Sequence, residues 1–164
     1  MKEKKQEKKQ PKLEVKIQIN DNYIWIPFNV PSLKNSKVKT SRGIFPSKTV
    51  KQYLMDLGIQ RYSASRKEVV EYIKRPNLFE SLRPLFEQKL EGKNPPFEIG
   101  FHFVRKSKRQ FDFNNASQII ADLMTAHNII EDDNMDYFIP YALKINNQFY
   151  TVDKENPGVY IEIK

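Results

Sequence analysis

The stretch "FEIGFHFVRKSKRQFDFNNASQIIADLMTAH" (97–127) changes its hydrophobic period midway, and that change constrains the fold more than any other feature of the chain. Phe97, Ile99, Phe101 and Phe103 alternate, which puts them on one face of an extended strand. Ala116, Ile119, Ile120, Leu123, Met124 and His127 then follow the i, i+3, i+4 spacing of an amphipathic helix over 115–127. Asn114 or Asn115 suits its start, because a short polar side chain can accept from the first free backbone N–H groups. A further strand-like stretch, "DYFIPYALKI" (136–145), follows. Each of these segments has an apolar face that is stable only when covered, so strands and helices must share one core.

The flanking sequence extends this pattern. "LEVKIQI" (13–19) and "YIWIPF" (23–28) read as strands, with a turn at Asp21 and Asn22 between them. Trp25, beside Tyr23 and Phe28, reads as core. The polar, basic segment 29–43 reads as one long loop, a length that often carries function. Ser47 suits the N-cap of a helix over 48–62, where Val50, Tyr53, Leu54 and Leu57 share a face. Segments 65–75 and 77–90 read as helical pieces interrupted by Pro76 and Pro84. "VYIEIK" (159–164) closes the chain as a strand. The expected fold is α+β, a mixed β-sheet packed with helices, in one domain over 12–164. Residues 1–11 read as a disordered basic tail, since Lys, Glu and Gln bury too little area to offset ordering entropy.

Composition narrows the chemistry. The 164 residues carry a formal net charge of +8, half of it in the first 17 residues, with seven Lys and three Glu. A basic excess favours polyanionic partners. No apolar run at the start resembles a signal sequence, and none later approaches eighteen residues, so a cytoplasmic protein without membrane insertion is expected. The absence of Cys excludes thiolate metal sites, disulfides and Cys nucleophiles. The five Gly form no phosphate-cradling motif, so no nucleotide cofactor is expected. Two histidines, His102 and His127, are too few for a multi-histidine metal site, and both read as structural or surface residues.

Acidic residues bracket the 115–127 helix: Asp112 one turn before it, and Glu131, Asp132 and Asp133 a short turn after it. Gln118 and Asp122 share its polar face. A helix of about twelve residues spans roughly 18 Å, so its two ends meet one ion only if the chain doubles back. The "NIIEDD" segment is placed to make that return. The local chemistry admits two readings, a divalent-metal site and a pair of solvated turns. Arg105, Lys106, Lys108 and Arg109 precede Asp112, and a phosphate-binding stripe leading into carboxylates is what a metal-dependent nuclease uses. Lys34, Lys37, Lys39 and Arg42 along the 29–43 loop admit both a solvated loop and contacts to a DNA backbone.

"FDFNNASQIIADLMTAHNIIEDDNMDY" (111–137) resembles the active-site segment of the RusA-type Holliday junction resolvases, endonucleases common in prophages. That family carries Asp-x-Asp-Asn, a helix with a further Asp, and an Asp-Asp pair before a strand. Asp112, Asn115, Asp122, Asp132 and Asp133 fall at its spacing without a gap. "VPSLKNSK" resembles the family's Pro-Ser-x-x-Asn loop through Pro31, Ser32 and Asn35. The likeness extends over roughly 22–164, with a longer 58–93 region here.

The resemblance implies a homodimer that cuts four-way DNA junctions in recombination and repair. It also implies Mg2+, with Mn2+ as a possible substitute, held by aspartates and assisted by a helical Lys. Asp112 matches the first family aspartate and Asp133 the last, the pair expected to carry catalysis. Asn114 stands at the second aspartate, and Asp132 is the further candidate ligand. Gln118 stands at the Lys. Asn114 removes one negative charge from the ligand set, and Gln118 removes a positive charge near the scissile phosphate. Two alternatives therefore accompany the nuclease reading: a catalytically weakened junction-binding protein on the same fold, and a basic RNA-associated protein whose acidic turn is incidental.

Overall fold

The computed structural model describes residues 22–32, 37–41, 43–59 and 77–164. The expected strand at 13–19, Asp21 of the expected turn, the helix at 65–75 and the basic tail lie outside the described residues. Within them the chain is α+β, with three helices and a mixed sheet. In order the elements are β1 (Ile24–Pro27), β2 (Lys37–Thr40), β3 (Gly43–Pro46), α1 (Lys48–Asp56), α2 (Leu78–Leu90), β4 (Phe97–Arg105), α3 (Phe113–Ala126), β5 (Phe138–Ala142), β6 (Tyr150–Val152) and β7 (Gly158–Ile163).

β4 is the centre of the sheet. β7 pairs antiparallel along one side of it and β1 pairs antiparallel with β7. On its other side β5 pairs parallel with 97–101 and β6 pairs parallel with 103–105. Two parallel neighbours in one sheet need a crossover, and α3 supplies it between β4 and β5. The alternating set read from the sequence faces the helices: Ile99, Phe101 and Phe103 are fully buried with Ile26, Val159 and Ile161 of neighbouring strands. They pack with Phe79, Leu82 and Phe86 of α2 and with Ala116, Ile120 and Met124 of α3 in the same cluster.

Several expectations change. The 29–43 segment is not one loop: β2 and β3 form an antiparallel hairpin with Thr40 opposite Gly43. "KVKT" has the β-branched alternation of a strand, in a run too short to stand out among its lysines. The first helix ends at Asp56 rather than 62. Gly58, at φ 74°, donates to Met55 O while Ile59 donates to Leu54 O, a left-handed stop that satisfies the last carbonyls. Pro84 lies inside α2 and does not interrupt it. The lost N–H is offset by the Asn77–Glu80 capping box and by the burial of Phe79, Leu82 and Phe86. Ser47 caps α1 as expected, accepting from the Val50 N–H at 3.3 Å.

The opposite sheet face is aromatic. Trp25 lies on it, half-buried and outside the core cluster where the sequence placed it, with its ring 4.5 Å from that of Tyr160. It crosses Gly158 so closely that a Cβ there would stand 2.3 Å from the indole and 2.5 Å from the Ile26 carbonyl. Gly158→Ala is therefore expected to cost about 1–3 kcal/mol, the usual penalty of overpacking. Urea unfolding followed by Trp25 fluorescence reads the change, and an unchanged midpoint would mean that the indole is not seated on Gly158. His102 is buried on this face between the Leu143 carbonyl (3.2 Å from Nδ1) and the Thr151 hydroxyl (3.3 Å from Nε2). Burial pushes its pKa below the ordinary histidine value, and a neutral ring that donates through Nδ1 and accepts at Nε2 satisfies both neighbours. Among the described residues no helix is long and apolar enough to cross a membrane.

Candidate functional site

The site grows from the two ends of α3. The helix begins at Phe113, and Asp112 is its N-cap: the carboxylate Oδ1 accepts from the Asn115 N–H at 3.2 Å. The sequence had placed the cap at Asn114 or Asn115 and Asp112 one turn outside. Asp caps as well as Asn, and its charge also suits the positive end of the helix. The earlier start carries Phe113 against the sheet, with its ring 5.8 Å from that of Phe103.

The other end explains the return of the chain. Asn128, at φ 53°, donates to Thr125 O, and Ile129 donates to Met124 O. This left-handed stop turns Ile129 and Ile130 into the core, where both are buried. His127, next to the stop, takes a structural place. Its ring stacks on Phe79 at 5.2 Å, Nδ1 lies 2.7 Å from the Leu123 carbonyl, and Nε2 lies 3.1 Å from the Asn77 amide nitrogen. Donation from Nδ1 to the carbonyl leaves Nε2 to accept from Asn77.

Past Ile130 the acidic segment folds back along α3. Gln118 Nε2 donates to Asp122 Oδ1 at 2.9 Å and also to Asp133 Oδ2. The chain thus brings Asp133 to the exposed face of α3 that Gln118 and Asp122 share. Asn114, one turn before Gln118, is exposed. Asp112 lies six residues before Gln118, roughly 9 Å along the helix axis. Asp132 is engaged in its own turn, accepting from the Asp133 N–H and the Asn134 side chain, each at 2.7 Å. The feature that spacing alone missed is this double donation by Gln118, which holds two carboxylates with one neutral amide.

The basic residues divide sharply. Lys106, Lys108 and Arg109 are exposed on the loop between β4 and α3. Arg105, expected beside them as a DNA contact, is buried instead. Its Nη1 donates to the Val30 carbonyl at 2.5 Å and its Nη2 to Ser32 Oγ at 3.4 Å, while the guanidinium lies over the Phe111 ring at 4.7 Å. An arginine that ends a central strand on its core-facing side has nowhere else to go, and desolvation lowers its pKa from the ordinary value. The consequence is structural: Arg105 pins the loop after β1, including the motif-matched Ser32, to the end of β4. Lys37 and Lys39 lie on β2. Lys34, Asn35 and Arg42 lie outside the described residues.

Among the described residues, no three Asp, Glu or His side chains gather closely enough to hold a metal ion by themselves. By the family likeness, Asp112, the N-cap of α3, and Asp133, held by Gln118, are the residues that would hold Mg2+, which binds through oxygen donors from one or two carboxylates. Comparison with protein-family models, with curated proteins and with solved structures returned no match.

Proposed function

We propose that this protein is a RusA-like, Mg2+-dependent endonuclease that acts as a homodimer on branched DNA, with four-way junctions as its substrate in recombination and repair in the cytoplasm. The observation that carries this reading is the return of Asp133 to Gln118. These positions match the last aspartate and the helical Lys of the resembled family, and their contact is long-range in sequence. Asp112 and Asp133 would hold Mg2+, which would supply water activation and charge stabilisation at the leaving oxygen. Gln118 orients the Asp133 carboxylate, and Lys106, Lys108 and Arg109 would hold the DNA backbone.

The same contact favours a second reading, a junction-binding protein with weakened catalysis. The amide that stands for the family Lys brings no charge to a phosphate, and its hydrogens are already given to Asp122 and Asp133. One experiment separates the readings. Labelled four-way junction, plain duplex and structured RNA are incubated with wild type and Asn114→Asp in Mg2+ or Mn2+, and the products are resolved on gels. Paired symmetric nicks in the junction, faster in Mn2+ and raised in Mg2+ by Asn114→Asp, are expected of the enzyme. Saturated junction binding without cleavage in either protein and either metal leaves only the binding reading. A preference for RNA overturns both.

A further inference from the structure

Tyr150 opens β6 in register with Phe103, so its side chain stands on the helix-facing side of the sheet at the edge. Its ring meets Phe111 edge-on at 5.3 Å, and Phe111 in turn carries the Arg105 guanidinium on its face. Tyr150 itself is 43% exposed and the preceding Phe149 is 58% exposed. The two follow a tight turn in which Asn146 and Asn147 both take positive φ, closed by the Ile145–Gln148 bridge. Cations flank them. Lys144 Nζ lies 5.5 Å from the centre of the Phe149 ring. The loop joining Arg105 to Phe111 presents Lys106, Lys108 and Arg109 to solvent.

Two adjacent exposed aromatic rings offer an apolar patch that a partner can cover. The surrounding charge selects which one. A second copy related by a two-fold axis would set these lysines and arginine against their own equivalents, a repulsive arrangement. A polyanion with flat apolar groups matches both features at once. We propose that Tyr150, backed by Phe111, and the adjacent Phe149, beside Lys144, serve with the exposed Lys106, Lys108 and Arg109 of the loop before Phe111 as a stacking surface for the unpaired bases of single-stranded nucleic acid. Bases stack on the rings with little regard to sequence, and the cations follow the phosphates. Neither Asp112, Asp133 nor a metal takes part, so the platform stands independently of the cleavage reading.

The test uses the full chain, a fluorescent twelve-nucleotide oligothymidine and a duplex of equal length, in EDTA, with anisotropy read across a salt series. Wild type is expected to prefer the single strand. Phe149→Ala and Tyr150→Leu should each weaken single-strand binding roughly 5- to 100-fold with an unchanged salt slope, because stacking is lost while every charge remains. Phe149→Trp should restore binding, and Lys108→Gln with Arg109→Gln should flatten the slope. Phe149 is exposed enough that its removal leaves the fold intact, which a melting curve checks. Unchanged single-strand affinity in the Phe149→Ala, Tyr150→Leu double variant overturns the proposal. So does a double variant that dissociates a dimer while its nucleic-acid affinity stays the same, since the patch would then be a subunit contact.

Discussion

Asp112→Asn is expected to reduce Mg2+-dependent junction cleavage by at least about 100-fold, while shifting the melting temperature by no more than about 3 °C. The observed cap role and the proposed metal role of Asp112 make this substitution informative. As N-cap, its Oδ1 needs only to accept the Asn115 N–H, and an Asn carbonyl oxygen does that nearly as well. In the proposed metal site it would also have to bring negative charge, which Asn lacks. Asp112→Ala removes both roles and should add a stability loss of about 1 kcal/mol. Single-turnover cleavage beside thermal melts for the two variants reads the difference. Cleavage by Asp112→Asn at the wild-type rate would reduce Asp112 to a cap and move the metal reading elsewhere.

Phe103→Ala should be the most damaging single change to the fold, at about 3–5 kcal/mol by urea denaturation. Domains of this size hold only about 5–15 kcal/mol in reserve, so the variant should be partly unfolded at 37 °C. Phe103 is fully buried, and its ring lies 6.0 Å from Phe101, 5.7 Å from Phe111 and 5.8 Å from Phe113. It therefore joins the sheet to the two aromatic residues on either side of Asp112. Loss of the ring loosens the core and the helix start together, so nucleic-acid affinity should fall with stability. Phe103→Leu keeps most of the volume and should cost less than half as much. A Phe103→Ala variant that unfolds at the wild-type midpoint would show that these contacts contribute little.

The parts legible in the sequence share a physical cause. Strand β4 and helix α3 bury an apolar face over nine and fourteen residues, long enough for their periods to be read. β6 escaped notice because three residues, Tyr150 to Val152, carry too little pattern, and what makes them a strand is the waiting edge of β4. Arg105 was misread for a related reason. Its charge marks it as a surface residue, but alternation along β4 assigns it to the inner face with Phe101 and Phe103, and the tertiary position prevailed. At the site, the pairing of Gln118 with Asp122 was visible as an i, i+4 spacing. Its link to Asp133 was not, because it depends on the turn geometry at Asn128.

That dependence determines where the gene can grow. The contact between Gln118 and Asp133 is set by the residues counted between them, since each residue added to α3 would rotate its polar face by about 100° and carry the amide away from the carboxylate. An insertion after Asn128 would lengthen the return instead and lose the same contact. The exposed turn at 91–96, between α2 and β4, is under no such constraint and should accept added residues with little effect on the sheet. A scan of single-residue insertions would then find the chain permissive in the 91–96 turn and intolerant from Gln118 to Asp133, even where every inserted side chain faces solvent.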